Sequence, residues 1–350
     1  MKKILLVLVF SFGLLGCYSV QKLNNPSWYQ GGKRADNYFE GWYLKHVSAD
    51  NRRAYSVIVG ASYPDKRSEA SAHSFVQIID GSTAKTHYFR YPISDFSHTN
   101  KSGFGASVGK NTIGLGGLNV DVSDGLDTIR GRLLYRNVFV YDQTFGIMSW
   151  LRLLPKMQCY HGLVSLNHEI VSGSLVINGD SVDFSGGKGY IEKDWGSSMP
   201  SSWVWLQCNS FVADSTASLV VSLANVPYLG VYRRGYFAVL SHGGKVYRFA
   251  AYDVFSSIRS FEAGKSGLQL VFRNRAGELT VDASRTKTGV LKAPVGGRMS
   301  RDIEESLDAR VRFSFRDRRG VLLVSGVGTN AGFEMVGNLE AELGATLVLD

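Results

Sequence analysis

Apolar and polar residues alternate one by one through most of this chain, the period of a half-buried strand. The pattern predicts strands over residues 53–63, 73–80, 85–91, 117–124, 128–136, 172–179, 218–226, 236–244, 245–254, 267–274 and 319–328. Asp80-Gly81 and Asn178-Gly179-Asp180 read as hairpin turns between them. Turn signals about every ten residues imply an all-β barrel or sandwich. Helical patterns are few and short. One covers 144–157 and ends at Pro155; another covers 300–309, where Ser300 caps and Glu304 lies in the first turn. No fixed-period repeat or long linker interrupts the chain. Two β-rich halves are expected, at 17–185 and 186–350, behind an N-terminal segment of 16 residues.

Two stretches break the ordinary alternation by placing carboxylates and aromatic rings on one face. In "GGKGYIEKDWGSSMPSSWVWLQCN" (186–209), Tyr190, Glu192 and Asp194 share one strand face, and Ile191, Lys193 and Trp195 the other. After a turn at Gly196 and Pro200, Trp203, Trp205, Gln207 and Asn209 line one face and Val204, Leu206 and Cys208 the opposite one. The aliphatic face suits packing; the aromatic and amide face suits the wall of a cavity. In "NYFEGWYLKH" (37–46), Glu40 and Trp42 share a face, alternating with Tyr43 and Lys45. A third stretch, "CYHGLVSLNHE" (159–169), puts Cys159 and His161 together and His168 on the other side. A single strand carboxylate ordinarily faces water, and a tryptophan ordinarily fills a core. Recurrence of the pairing in two stretches favours a functional set.

Composition narrows the setting. With 350 residues, 44% hydrophobic, 39 glycines and only 7 prolines, the chain is globular and turn-rich. Lys2 and Lys3 precede an apolar run, Ile4–Gly16, too short to span a bilayer well. The run ends in "LLGC", a lipobox pattern, so residues 1–16 are expected to be a signal peptide and Cys17 to carry acyl chains. The expected location is the bacterial cell envelope, anchored to its membrane. Cys159 and Cys208 are left either as a disulfide or as two free thiols. The net charge of +9 is scattered and gives no nucleic-acid signature; 301–320 mixes both signs and reads as a solvated face. Cys159-x-His161 is only a pair, so no metal site is expected. The chain has no phosphate loop, dinucleotide fingerprint, HExxH or GxSxG.

The segment "YIEKDWGSSMPSSWVWLQCNSF" (190–211) resembles, in order and spacing, a motif of the tocopherol cyclases and their bacterial relatives. "YFEGWYLKHVS" (38–48) and "LKAPV" (291–295) resemble the family's N- and C-terminal elements, so the likeness runs over nearly the whole mature chain. Asp194 stands where the plant pattern carries Asn, and Met199 replaces an aromatic. The resemblance implies two lipocalin-like halves and closure of a prenylated hydroquinone to a chromanol. That reaction needs no redox cofactor. It needs a neutral carboxylic acid to protonate an alkene, aromatic faces for the cation, and exclusion of water. Glu192, Glu40 and Asp194 are the candidate acids, with Glu192 ahead and expected to be buried, raised in pKa and facing one lumen with Glu40. Trp42, Tyr43, Tyr190, Trp195, Trp203, Trp205, Gln207, Asn209 and His161 are the candidate ligand contacts, the ligand being a hydrophobic small molecule. Non-catalytic carriage of such a ligand and glycan chemistry, which also pairs carboxylates with tryptophan platforms, are the alternatives.

Overall fold

The computed structural model describes residues 22, 25–32, 36–67, 70–99, 104–141, 146–154, 157–212, 214–228 and 230–348. The expected signal peptide and Cys17 lie outside them. Twelve strands form the first sheet: β1 (Tyr38–Val47), β2 (Ala54–Tyr63), β3 (His73–Asp80), β4 (Thr86–Pro92), β5 (Phe96–His98), β6 (Gly105–Val108), β7 (Asn111–Gly114), β8 (Gly117–Ser123), β9 (Thr128–Val140), β10 (Cys159–Ile177), β11 (Asp180–Asp183) and β12 (Gly187–Gly196). Eleven form the second: β13 (Trp203–Cys208), β14 (Ser218–Tyr228), β15 (Val231–His242), β16 (Lys245–Ala250), β17 (Ser257–Ala263), β18 (Gly267–Arg273), β19 (Gly277–Ser284), β20 (Gly289–Val295), β21 (Arg298–Asp317), β22 (Leu322–Val336) and β23 (Thr346–Leu347).

One sheet curls into a nearly closed barrel and the other forms the second, barrel-like half, the all-β lipocalin-like architecture expected. In the first, β1 lies between β2 and β12; in the second, β13 lies between β14 and β22. The change of sheet falls between Gly196 and Trp203, so the strand 187–196 belongs with the first barrel, not with the second half drawn from residue 186. The Asn178-Gly179 turn closes the β10–β11 hairpin with both residues at positive φ, 53° and 94°. Asp80-Gly81 opens a longer loop before β4.

Both longer helical expectations fail. Residues 300–309 lie inside β21, because Ile303, Glu305, Leu307 and Ala309 alternate inward with period two while Asp302, Glu304 and Arg310 face out. The described residues of the 144–157 stretch hold a 3₁₀ turn at Ser149–Leu153 and no α-helix; Pro155 lies outside them. The helix α1 (Leu339–Leu343) is capped by the Asn338 side chain and ended by left-handed Gly344. No helix among the described residues is long and apolar enough to cross a membrane.

Three apolar cores result. One fills the first barrel around Trp42, Leu44 and Val57. Another fills the second around Val204, Leu206 and Cys208. The third lies between the barrels and contains Tyr43, Tyr190, Trp203, Trp205 and Phe237. Each fully buried aliphatic side chain contributes about 1.5–3 kcal/mol of transfer free energy, so both faces of β12 and β13 are pinned and their register cannot slip by one.

Candidate active site

Strand parity decides what enters the space between the barrels. β1 and β12 run antiparallel, with Tyr43 opposite Glu192, Trp42 opposite Lys193 and Glu40 opposite Trp195. β10 flanks β12 on its other side, placing His161 opposite Asp194. Odd-numbered Phe39, Gly41 and Tyr43 and even-numbered Glu192 and Asp194 face the second barrel, which answers with Trp203 and Trp205 of β13. Between them lies a cavity of about 540 Å³. Its walls are largely apolar, among them Phe39, Phe75, Met148 and Phe237, and four carboxyl groups enter it: Glu192, Asp194, Glu305 and Glu334.

These carboxyls occupy two contrasting environments. Glu192 Oε2 accepts hydrogen bonds from Tyr190 Oη at 2.5 Å and Trp205 Nε1 at 3.0 Å, and lies 3.3 Å from His161 Nε2. His161 Nδ1 reaches Asp194 Oδ1 at 2.9 Å. Burial alone would lower the imidazole's pKa, but Asp194 and Glu192 outweigh it and hold His161 at about 10, protonated at neutral pH. Glu305 and Glu334 lie directly opposite each other on β21 and β22. Burial drives both upward, Glu334 to about 8 and Glu305 well above the usual carboxylate range, with Glu334 reinforcing Glu305 and Glu192 reinforcing Glu334. Tyr43 Oη donates to Glu305 Oε1 and Trp203 Nε1 to Glu334 Oε2, each at 2.5 Å. The cavity therefore sets a neutral carboxyl pair beside a cationic imidazole held between two acceptors.

Of the candidate contacts, Tyr43, His161, Trp203 and Trp205 line the cavity with Glu192 and Asp194. Tyr190 backs Glu192 through its hydroxyl. Glu40, Trp42 and Trp195 do not share this space. They face into the first barrel, where Glu40 forms a fully buried ion pair with Lys193 Nζ. Its carboxylate also accepts the backbone N–H groups of Gln30 at 2.7 Å and Gly31 at 2.9 Å. Lys193 Nζ sits between the Trp42 and Trp195 rings, 4.7 and 4.9 Å from their centroids, and also meets the Trp28 carbonyl. Glu40 and Glu192 thus do not face one lumen: their positions on paired strands have opposite parity. Gln207 and Asn209 follow Trp205 along the same face but lie beyond the cavity. Both amide atoms of Gln207 are buried without a partner, and Asn209 Nδ2 donates to Gly189 O at 2.9 Å.

His168 falls on the other face, because the two register shifts in β10 between it and His161 cancel, with its ring 4.2 Å from Tyr135 in the first barrel. Cys159 and Cys208 are both free thiols. Cys159 lies in the cavity wall, 3.7 Å from Met199 Sδ, and Cys208 in the second barrel's core. Sequence reading weighed only Cys159 as a metal partner for His161. The fold instead brings Glu192 and Asp194 to it, with ligand atoms within 4.8 Å of one another, a spacing that could hold a metal ion; His87, Asp124 and Asp127 form a second such group.

A family model described as tocopherol cyclase-like matches residues 132–337. The chloroplastic tocopherol cyclase of Zea mays is 23% identical over 160 residues, 44% of this chain and 33% of its own length. A chloroplastic relative from Oryza sativa subsp. japonica is 25% identical over 104 residues, 29% of this chain and 22% of its own. The matched stretches thus span a third or less of these relatives. Among solved structures, CghA with Sch210972 is similar at a TM-score of 0.54 and 12% identity, covering 86% of this chain and 89% of that one. An AttH protein from Nitrosomonas europaea is similar at 0.50 and 11% identity, covering 85% and 92%. At such identity these likenesses describe the fold alone.

Proposed function

The chain belongs to the tocopherol cyclase-like family, and from that premise we propose that the cavity binds a prenylated hydroquinone or similar prenyl lipid and closes it to a chromanol-type ring by acid catalysis. One observation carries the reading: a single apolar cavity holds carboxyl groups in two opposed environments, the arrangement that separates an acid from a base. Glu334, held near 8, is neutral at pH 7 and can donate. Its proton adds to the less substituted carbon of the trisubstituted alkene, leaving a tertiary cation. The faces of Trp203, Trp205 and Tyr43 stabilise that charge. The phenol oxygen attacks the cation and forms the C–O bond, and its proton passes to the Glu192 carboxylate. Atoms and electrons balance as an isomerisation, so the step calls for no oxidant or reductant. Returning the proton from Glu192 to Glu334 resets the site.

The apolar walls argue against glycan chemistry, which favours an open polar groove. Incubation with a prenylated hydroquinone and chromatography of the product tests the reaction. Glu334→Gln should lower the rate at least a hundredfold, the range of a lost general acid, while binding stays nearly unchanged. Wild-type protein that binds the lipid and never converts it would support carriage instead. We also take Cys17 as the lipid anchor: Cys17→Ser should move the protein from the membrane to the soluble fraction, and unchanged partition would put the anchor elsewhere.

A further inference from the structure

Among the cavity's described lining residues, only Trp150, Arg233, Arg234 and Ala251 are exposed, and they mark the mouth. Three segments meet there: the 3₁₀ turn after β9, the β14–β15 hairpin and the β16–β17 loop, the last joined to the first by Tyr252 Oη donating to Ile147 O at 2.7 Å. Each presents large apolar side chains to solvent. Trp150 and Leu153 are each 53% exposed, Val231 48%, Tyr232 61%, Val254 87% and Phe255 50%. Exposed apolar residues scattered singly need no explanation, but six of them on the three segments that reach the entrance of an apolar cavity do.

Cations are interleaved with them. Arg233 and Arg234 follow Tyr232 directly and form no ion pair among the described residues; Arg234 Nη1 donates instead to Leu343 O at 3.0 Å. Arg152 lies in the 3₁₀ turn with Trp150 and Leu153. Asp253 is the acidic residue of the β16–β17 loop, and its Oδ1 is turned back onto the Phe255 N–H at 3.0 Å. Aromatic and aliphatic side chains that reach a bilayer's interfacial zone, with arginines at headgroup level, are the chemistry of interfacial docking on an anionic surface.

We propose that the mouth formed by Trp150, Leu153, Val231, Tyr232, Val254 and Phe255, with Arg152, Arg233 and Arg234, docks on the anionic face of a lipid bilayer, so that a membrane-dissolved ligand enters the cavity without crossing water. The inference rests on reading the cavity as a lipid site, but it needs no turnover. It is also separate from the N-terminal anchor: an anchor sets how near the bilayer the protein stays, whereas docking sets which face it turns.

The test uses the full chain in a Cys159→Ser background, in which Cys208 stays fully buried, with Leu153→Cys, Tyr232→Cys or Leu126→Cys introduced one at a time. Each carries a nitroxide, and each protein is bound to phosphatidylglycerol-rich or pure phosphatidylcholine vesicles. Leu126, 91% exposed in the β8–β9 turn, is the aqueous control. On phosphatidylglycerol, the labels at 153 and 232 should become accessible to oxygen and shielded from a water-soluble nickel chelate, while the label at 126 stays aqueous. Arg233→Glu with Arg234→Glu should lower the immersed fraction about tenfold or more. Labels at 153 and 232 as aqueous as that at 126, or immersion of 126 instead, overturns the docking face. Equal immersion on phosphatidylcholine overturns its preference for anionic lipid. A docked protein that is inert toward quinols leaves this inference standing and removes the proposed reaction; an active protein with aqueous labels does the reverse.

Discussion

Two strands of this molecule carry the same local pattern, a glutamate beside a tryptophan, and the fold uses them in opposite ways. β1 and β12 lie side by side, yet Glu40 points into the first barrel and Glu192 into the space between barrels. Glu40 meets a buried ammonium, two backbone N–H groups and the Tyr38 hydroxyl, and does not line the cavity. Glu192 meets a tyrosine, an indole and an imidazole at the edge of a cavity. Residue type and neighbours in sequence do not separate a structural acid from a reactive one. What separates them is the parity of the strand position and what the opposite layer supplies.

The largest effect should come from breaking the structural member. Glu40→Gln leaves the Lys193 ammonium buried without its counter-charge, a loss of about 3–5 kcal/mol. Glu192→Gln should remain within about 1 kcal/mol of wild type while losing activity. Urea unfolding of the two variants gives the comparison directly, and equal destabilisation would erase the distinction.

The carboxyl pair sharpens the same contrast through pH. Because Glu334 is raised from 4.5 to about 8, the folded state binds more protons than the unfolded state across that window. Wild-type stability should therefore fall as pH rises from about 4.5 to 8. Glu334→Gln should flatten that slope, as followed by thermal melts over the pH range. The rate should also decline as pH passes about 8, where the acid ionises. A Glu334→Gln slope identical to wild type would remove the raised carboxyl from the account.

His161 acts with the same sign in a more alkaline window. Its folded pKa of about 10 lies above the ordinary 6.5, so the stability from its charged form is fully present below 6.5 and is lost as pH rises through 10. His161→Gln should cost about 1.5–3 kcal/mol near neutrality and abolish that alkaline loss. The smallest effect concerns the thiols, where one cysteine lies in the cavity wall and the other in a core. Thiol counting on denatured, unreduced protein should find both Cys159 and Cys208 free with no change in stability on reduction, and a missing pair would restore the disulfide.

Much of the site was legible from period alone. The faces of β12 and β13 were readable because Val204, Leu206 and Cys208 alternate strictly with Trp203, Trp205 and Gln207: the first three fill one core and the two tryptophans another. The acid pair was not. Glu305 sits in a mixed-charge stretch whose Ser and Glu spacing imitates a helix cap, and the local signal won over the longer alternation of Ile303, Glu305 and Leu307. That alternation, a glutamate flanked at two residues on either side by inward aliphatics, was the missed sign of a buried acid. Glu334 lay past the end of the strand read at 319–328. Nothing local paired it with Glu305; only the β21–β22 register does so. Glu40 was misplaced for a related reason: alternation says which residues share a face but not which layer that face meets.

The strand pairing of the two sheets also sets an order of assembly. β1 finds its partner β12 only at residues 187–196, and β13 finds β22 only at 322–336. As the chain is synthesised, the first barrel stays open along β1 until Gly196 is available. The next strand, β13, is apolar on one face and aromatic on the other, and it then waits through more than a hundred further residues with one edge unpaired. Pairings of such separation fold slowly, on the order of milliseconds to seconds, and an uncovered edge is where other chains attach. The strand that carries Trp203 and Trp205 is therefore also the strand most in need of protection while the protein is being made.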